Sequence, residues 1–99
     1  MSRLLVCPPD HFQIDYEINP WMRRENAVVP SHAVNQWQTL MHVLEQDVGV
    51  GLERMLSVPG LPDLVFTANA GVVAGRRVVI SRFRYPERRR EEVYFAQWF

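Results

Sequence analysis

Ninety-nine residues with 47% apolar content make one small globular domain or a part of a larger one, and argue against disorder. Eleven arginines, with no lysine, face eleven acids for a formal charge of zero, so the overall balance draws the chain neither to nucleic acid nor to an anionic membrane. A single cysteine excludes an internal disulfide, no Cys/His spacing resembles a metal site, and no apolar run is long enough to span a bilayer or to act as a secretory signal; a soluble, cytoplasmic protein without a metal or other cofactor is expected.

The apolar run from Arg3 to Cys7 is closed by Pro8-Pro9, as in a buried strand that ends at a rim. From Asp10 to Pro30 the chain has no helical periodicity, and Tyr16, Ile18, Trp21 and Met22 are interspersed with Asp15, Glu17 and Asn19. A polar-aromatic loop of this length predicts a lid or binding loop that packs on something. Ser31 then stands as an N-cap candidate, and Val34, Trp37, Met41, Leu44 and Val48 follow at helical spacing, with Leu40 and Val43 widening the apolar face. Gly49 and Gly51 stop this helix. Leu52 to Val58 is expected as a strand, although its alternation gives no clean apolar face.

Pro59-Gly60-Leu61-Pro62 forces a turn or an extended backbone. Leu64-Val65-Phe66-Thr67 carries the β-branched and aromatic residues of a buried strand. On such a strand Asp63 and Asn69, six apart, face one side and Phe66 the other. This polar pair suits a ligand floor, and equally a turn acid and a strand-end amide that satisfy backbone groups. Gly71 to Ala74 and Arg76 to Ser81 form a hairpin with Ala74-Gly75-Arg76 near its turn. After a connecting loop, Arg82 to Pro86, a helix starts at Glu87 and reaches Phe99 with no Gly, Pro or polar stop. Val93, Tyr94, Phe95, Trp98 and Phe99 would leave it strongly apolar at the last residue. The expectation is an incomplete α/β unit that needs the rest of a larger protein, or self-association, to cover this surface.

Cys7, at the end of a buried strand with no electropositive neighbour, reads as a structural thiol rather than a nucleophile. His11, His32 and His42 are scattered and read as structural or surface residues. The arginine-rich run from Arg82 to Arg90 is interleaved with Glu87, Glu91 and Glu92, which predicts a solvated helix start with local ion pairs, not a nucleic-acid patch.

Three segments in order resemble the guanidine-modifying hydrolases and amidinotransferases, in particular their dimethylargininase and arginine dihydrolase branch. They are Cys7-Pro8-Pro9-Asp10-His11-Phe12 leading to Ile18-Asn19-Pro20-Trp21-Met22, then Gly60-Leu61-Pro62-Asp63-Leu64-Val65-Phe66-Thr67-Ala68-Asn69-Ala70-Gly71, then Ser81-Arg82-Phe83-Arg84-Tyr85-Pro86-Glu87-Arg88-Arg89-Arg90-Glu91. The resemblance implies a five-bladed α/β propeller (pentein-like) around a polar pocket. Residues 1–99 would supply the first blade and the start of the second, as the N-terminal fragment of a catalytic domain.

Family enzymes attack the guanidinium carbon with a cysteine thiolate, while a histidine acts as general acid and base. Both lie in later blades, so no catalytic residue is assigned to this chain. By resemblance Asp63 holds the substrate's amino-acid end, Phe66 forms an aromatic wall, Asn69 stands where dimethylargininases carry an acid against the guanidinium, and Arg88 pairs with the substrate carboxylate. Asn19 falls in the covering loop. The amide at Asn69 matches the arginine dihydrolase branch, and Ala68 departs from the acidic pair of the dimethylargininases, so arginine and methylated arginine both remain open as substrates. The expected function is therefore a truncated Cys-dependent guanidine hydrolase that supplies substrate contacts but lacks the catalytic His and Cys. The rival is a non-enzymatic small α/β binding or assembly module.

Overall fold

The computed structural model describes residues 2–26 and 28–99. Strand β1 (Arg3–Val6) leads into the long loop, which forms turns but no helix or strand among its described residues. Helix α1 (Pro30–His42) carries the chain back to strand β2 (Gly51–Arg54), which lies parallel to β1 with Arg3 opposite Gly51 and Val6 opposite Arg54. This β-α-β crossover is followed by two short 3₁₀ turns, Pro62–Val65 and Thr67–Asn69. A hairpin then pairs β3 (Gly71–Ala74) with β4 (Arg77–Ile80), and helices α2 (Pro86–Arg89) and α3 (Glu91–Trp98) close the described chain.

Helix α1 starts two residues earlier than Ser31 as N-cap implies. Pro30 occupies its first position, where the missing N–H is not needed and the fixed φ is already helical, and it holds Val29 extended. Ser31 is thus inside the helix and caps nothing. Val34, Trp37, Met41 and Leu44 form its inward face, but Leu40, Val43 and Val48 are exposed, so the apolar face is narrower than their hydrophobicity suggests. The helix widens into a π-helical turn over Val43–Val48. Gly49 ends it at φ +80°, where both its N–H and that of Val50 donate to the Leu44 carbonyl.

The predicted strand at Leu52 to Val58 is shorter than expected, ending at Arg54, and the predicted strand at Leu64 to Thr67 is absent. Pro62 fixes a helical φ at the start of a turn, and the Phe66 N–H donates to the Asp63 carbonyl while the Asn69 N–H donates to that of Phe66. Local three-residue hydrogen bonds replace a strand ladder. The hairpin falls where predicted, with Gly75 at φ +60° in its two-residue turn.

The core gathers Cys7, Met55, Leu61, Leu64, Ala70 and Phe95, with Leu5, Val58, Phe83 and Tyr94 packed against it. The terminal helix therefore does not leave all its apolar side chains outside: Phe95 is fully buried, whereas Val93, Trp98 and Phe99 remain exposed. It is also two helices rather than one, separated at Arg90. The first turn is tight, because the Arg88 N–H donates three residues back to Tyr85. Among the described residues no helix is long and apolar enough to cross a membrane, and no group of three metal-ligating side chains occurs.

Cys7 is 1% exposed, and burial, with Asp10 and Glu91 nearby, pushes its thiol up to about 12. It is therefore protonated and shielded at neutral pH. In the folded chain at pH 8 we expect Ellman's reagent to label Cys7 only at the rate of unfolding, and to label it at once in denaturant. Rapid labelling without denaturant would contradict this burial. The sign of the linkage follows: the unfolded thiol ionises near pH 9 and the folded one only near 12, so stability is unaffected below about 9 and falls as pH rises through that window.

Candidate functional site

The two 3₁₀ turns make the site. With three residues per turn, side chains at i and i+3 fall on one line, and the run of turns brings Asp63, Phe66 and Asn69 to the same cavity. A strand would have put Phe66 on the opposite side. Thr67 Oγ1 donates to the Leu5 carbonyl at 2.7 Å and pins this floor to β1. Leu61 and Leu64, both buried, anchor it to the core.

The cavity measures about 360 Å³. Arg88 forms one side, and Phe12, Ile14, Ile18, Asn19, Trp21 and Met22 of the long loop form the cover. All five residues singled out from the sequence (Asn19, Asp63, Phe66, Asn69 and Arg88) line this one space. Phe66 is half exposed and meets Phe12 edge-on at 5.8 Å between ring centres. Asn19 Oδ1 accepts the backbone N–H groups of Trp21 and Met22, which shapes the loop.

Arg88 is largely buried, and most of its donors are engaged. Nε and Nη2 donate to the two oxygens of Glu91 at 2.9 and 2.7 Å, Nη2 also to the Asp63 carbonyl at 3.1 Å, and Nη1 to Asn69 Oδ1 at 2.9 Å. Its guanidinium lies 4.3 Å from the centre of the Phe83 ring. Among the described residues four of the five N–H groups thus have partners, and the fifth is on Nη1. Because Arg88 can only donate, its bond fixes the Asn69 amide with oxygen toward the guanidinium.

Glu91 corrects the picture of a solvated helix start: its side chain is fully buried. Burial raises its pKa, and the Arg88 ion pair opposes that rise. Tyr16 is the second residue that motif reading missed. Its hydroxyl donates to Asp63 Oδ2 at 2.7 Å, and burial together with this bond raises its pKa. Tyr16 was visible only as one aromatic in a polar loop, 47 residues from its partner. His11, at 2.9 Å from Ser57 Oγ, and His32 and His42 are exposed and outside the cavity. Asp63 and Arg88, one acid and one base, both line the cavity, whereas Glu91 is not part of its lining.

No protein-family model matches the sequence. The chain is 50% identical over 98 residues to the bifunctional arginine dihydrolase/ornithine cyclodeaminase AgrE of Nostoc sp., covering 98% of this chain and 14% of that protein. It is 38% identical over 96 residues to the N(G),N(G)-dimethylarginine dimethylaminohydrolase of Mycobacterium tuberculosis, covering 97% and 32%. Among solved structures it is similar to the N-terminal domain of ArgZ, a cyanobacterial arginine dihydrolase, bound to substrate, with a TM-score of 0.88 and 44% identity over 97% of this chain and 35% of that one. The chain thus spans between about a seventh and a third of these relatives.

Proposed function

We propose that this chain, which belongs to the arginine dihydrolase and dimethylargininase family and corresponds to one part of its members, binds the amino-acid end of an arginine-like substrate in the cavity under its long loop. The convergence of Asp63, Phe66, Asn69, Arg88 and Asn19 on one space is the observation that carries this reading. Asp63 receives the α-ammonium, and Arg88 meets the α-carboxylate through its remaining Nη1–H. Asn69 accepts from the guanidinium with the second lone pair of its oxygen, Phe66 lies along the aliphatic stem, and Asn19 covers it.

Hydrolysis belongs to the larger assembly in this reading. The cavity lining contains neither cysteine nor histidine, and Cys7 is buried and protonated. The thiolate that attacks the guanidinium carbon and the histidine that moves its protons would come from the other blades of a five-bladed propeller. Residues 1–99 form the first blade and the beginning of the second of this cytoplasmic enzyme, as the N-terminal part of its catalytic domain. The same lining supports a second reading, a small α/β module that binds without chemistry.

Titrating the chain with L-arginine, followed by NMR and calorimetry, is the test. Saturable binding is expected with shifts at Asp63, Asn69 and Arg88, and no ornithine or citrulline should form. Asp63→Asn should weaken arginine binding about 10-fold or more, the weight of a charge-assisted hydrogen bond. Unchanged affinity in Asp63→Asn removes the ammonium assignment. Turnover that survives Cys7→Ser means that the chain carries chemistry of its own.

A further inference from the structure

We propose that Tyr16 is a positioning residue: it latches the long loop onto the floor and aims the free oxygen of Asp63 at the ligand's ammonium group. The second half of this proposal rests on the arginine reading given above. Its basis is a hydrogen bond that joins two parts of the cavity remote in sequence. The Tyr16 hydroxyl donates to Asp63 Oδ2 at 2.7 Å. Asp63 is 4% exposed, and among the described residues no side chain donates to its other oxygen. No buried side-chain oxygen or nitrogen among them lacks a partner, so Oδ1 keeps its access through the cavity that Asp63 lines. A carboxylate with one oxygen tied and the other open has a fixed direction. That is what a small cationic head needs, since an untethered carboxylate loses rotational freedom on binding.

Tyr16 also lies between the residues that cover the cavity. Ile14 and Ile18, two positions to either side, both line it, as do Asn19, Trp21 and Met22 further along. Phe12 of the loop also touches Phe66 of the floor edge-on, and the Arg24 N–H bond to Glu17 Oε2 is internal to the loop. Removing one hydroxyl therefore frees the cover and the carboxylate together, without removing any group that is proposed to touch the ligand.

Tyr16→Phe separates this role from simple packing when three probes are titrated. L-Arginine and agmatine carry the ammonium; 5-guanidinopentanoate keeps the guanidinium and carboxylate but lacks it. Tyr16→Phe is expected to weaken arginine and agmatine by about 10-fold and to change 5-guanidinopentanoate by less than about 2-fold. Ile18→Ala, which thins the cover, should weaken all three alike. An equal loss for all three probes in Tyr16→Phe, or no loss for any, overturns the aiming role. If the unmodified chain binds none of the probes, the arginine reading falls and takes the aiming role with it.

The latch is then judged alone by limited trypsin digestion at Arg23 and Arg24, which needs no ligand. Tyr16→Phe should be cut there several-fold faster at a temperature where its circular dichroism equals that of the unmodified chain. Equal cutting rates overturn the latch.

Discussion

Replacing Glu91 by alanine is expected to destabilise the chain by about 3–5 kcal/mol, the cost of leaving a buried charge without its partner. Arg88 would lose two of its four hydrogen bonds while remaining in a largely buried position between Phe83 and Asn69. Single domains of this size hold only about 5–15 kcal/mol in total, so urea unfolding should show a sharply lowered midpoint or no folded baseline. Arg88→Met should be equally damaging, because it strands Glu91 beside Asp63. The double variant Arg88→Met/Glu91→Leu discriminates the origin of the effect. A buried ion pair replaced by apolar side chains is often neutral in stability, so the double variant is expected to recover most of the loss while failing to bind arginine. If it is as unstable as either single variant, the network stabilises the floor through its geometry rather than by cancelling a buried charge.

That network also shows where sequence reasoning stops. Arg88 and Glu91 are three apart, and local ion pairs in this arginine-glutamate run were legible from its interleaving. Their burial was not. It depends on Asp63 and Asn69 arriving from the 3₁₀ turns and on Phe95 filling the space beneath, contacts set by the tertiary fold. The long loop, the helix with its Gly49 stop and the hairpin were legible because periodicity and punctuation are local signals. Leu64 to Thr67 was misread for a related reason. Its β-branched and aromatic residues mark a buried segment, but β-propensity reports burial and packing more than backbone geometry, and Pro62 decided the geometry. Asp63, Phe66 and Asn69 line one cavity without a strand because they are multiples of three apart. The turn that replaced the strand aligned all three, including the one a strand would have turned away.

Phe95→Ala is the second large effect, and it connects the core to the site. Phe95 is fully buried at the centre of a cluster with Cys7, Met55, Leu61, Leu64 and Ala70. Truncating a buried phenylalanine removes its transfer energy and leaves a cavity, a loss of about 3–5 kcal/mol; for a domain of this size that lowers the melting temperature on the order of 20 °C. Val93→Ala on the exposed face of the same helix should stay within about 0.5 kcal/mol. The more informative readout is ligand binding well below the melting point. Leu61 and Leu64 hold the turn that carries Asp63, and Glu91 stands one helical turn before Phe95 on the same buried face of α3. Removing the ring loosens both the floor and the residue that grips Arg88. Arginine affinity is therefore expected to fall in Phe95→Ala even where circular dichroism reports a folded chain, and to be unchanged in Val93→Ala. If folded Phe95→Ala binds arginine as tightly as the unmodified chain, the cavity is held by its own hydrogen bonds, through Thr67, Arg88 and Glu91, and not by the core beneath it.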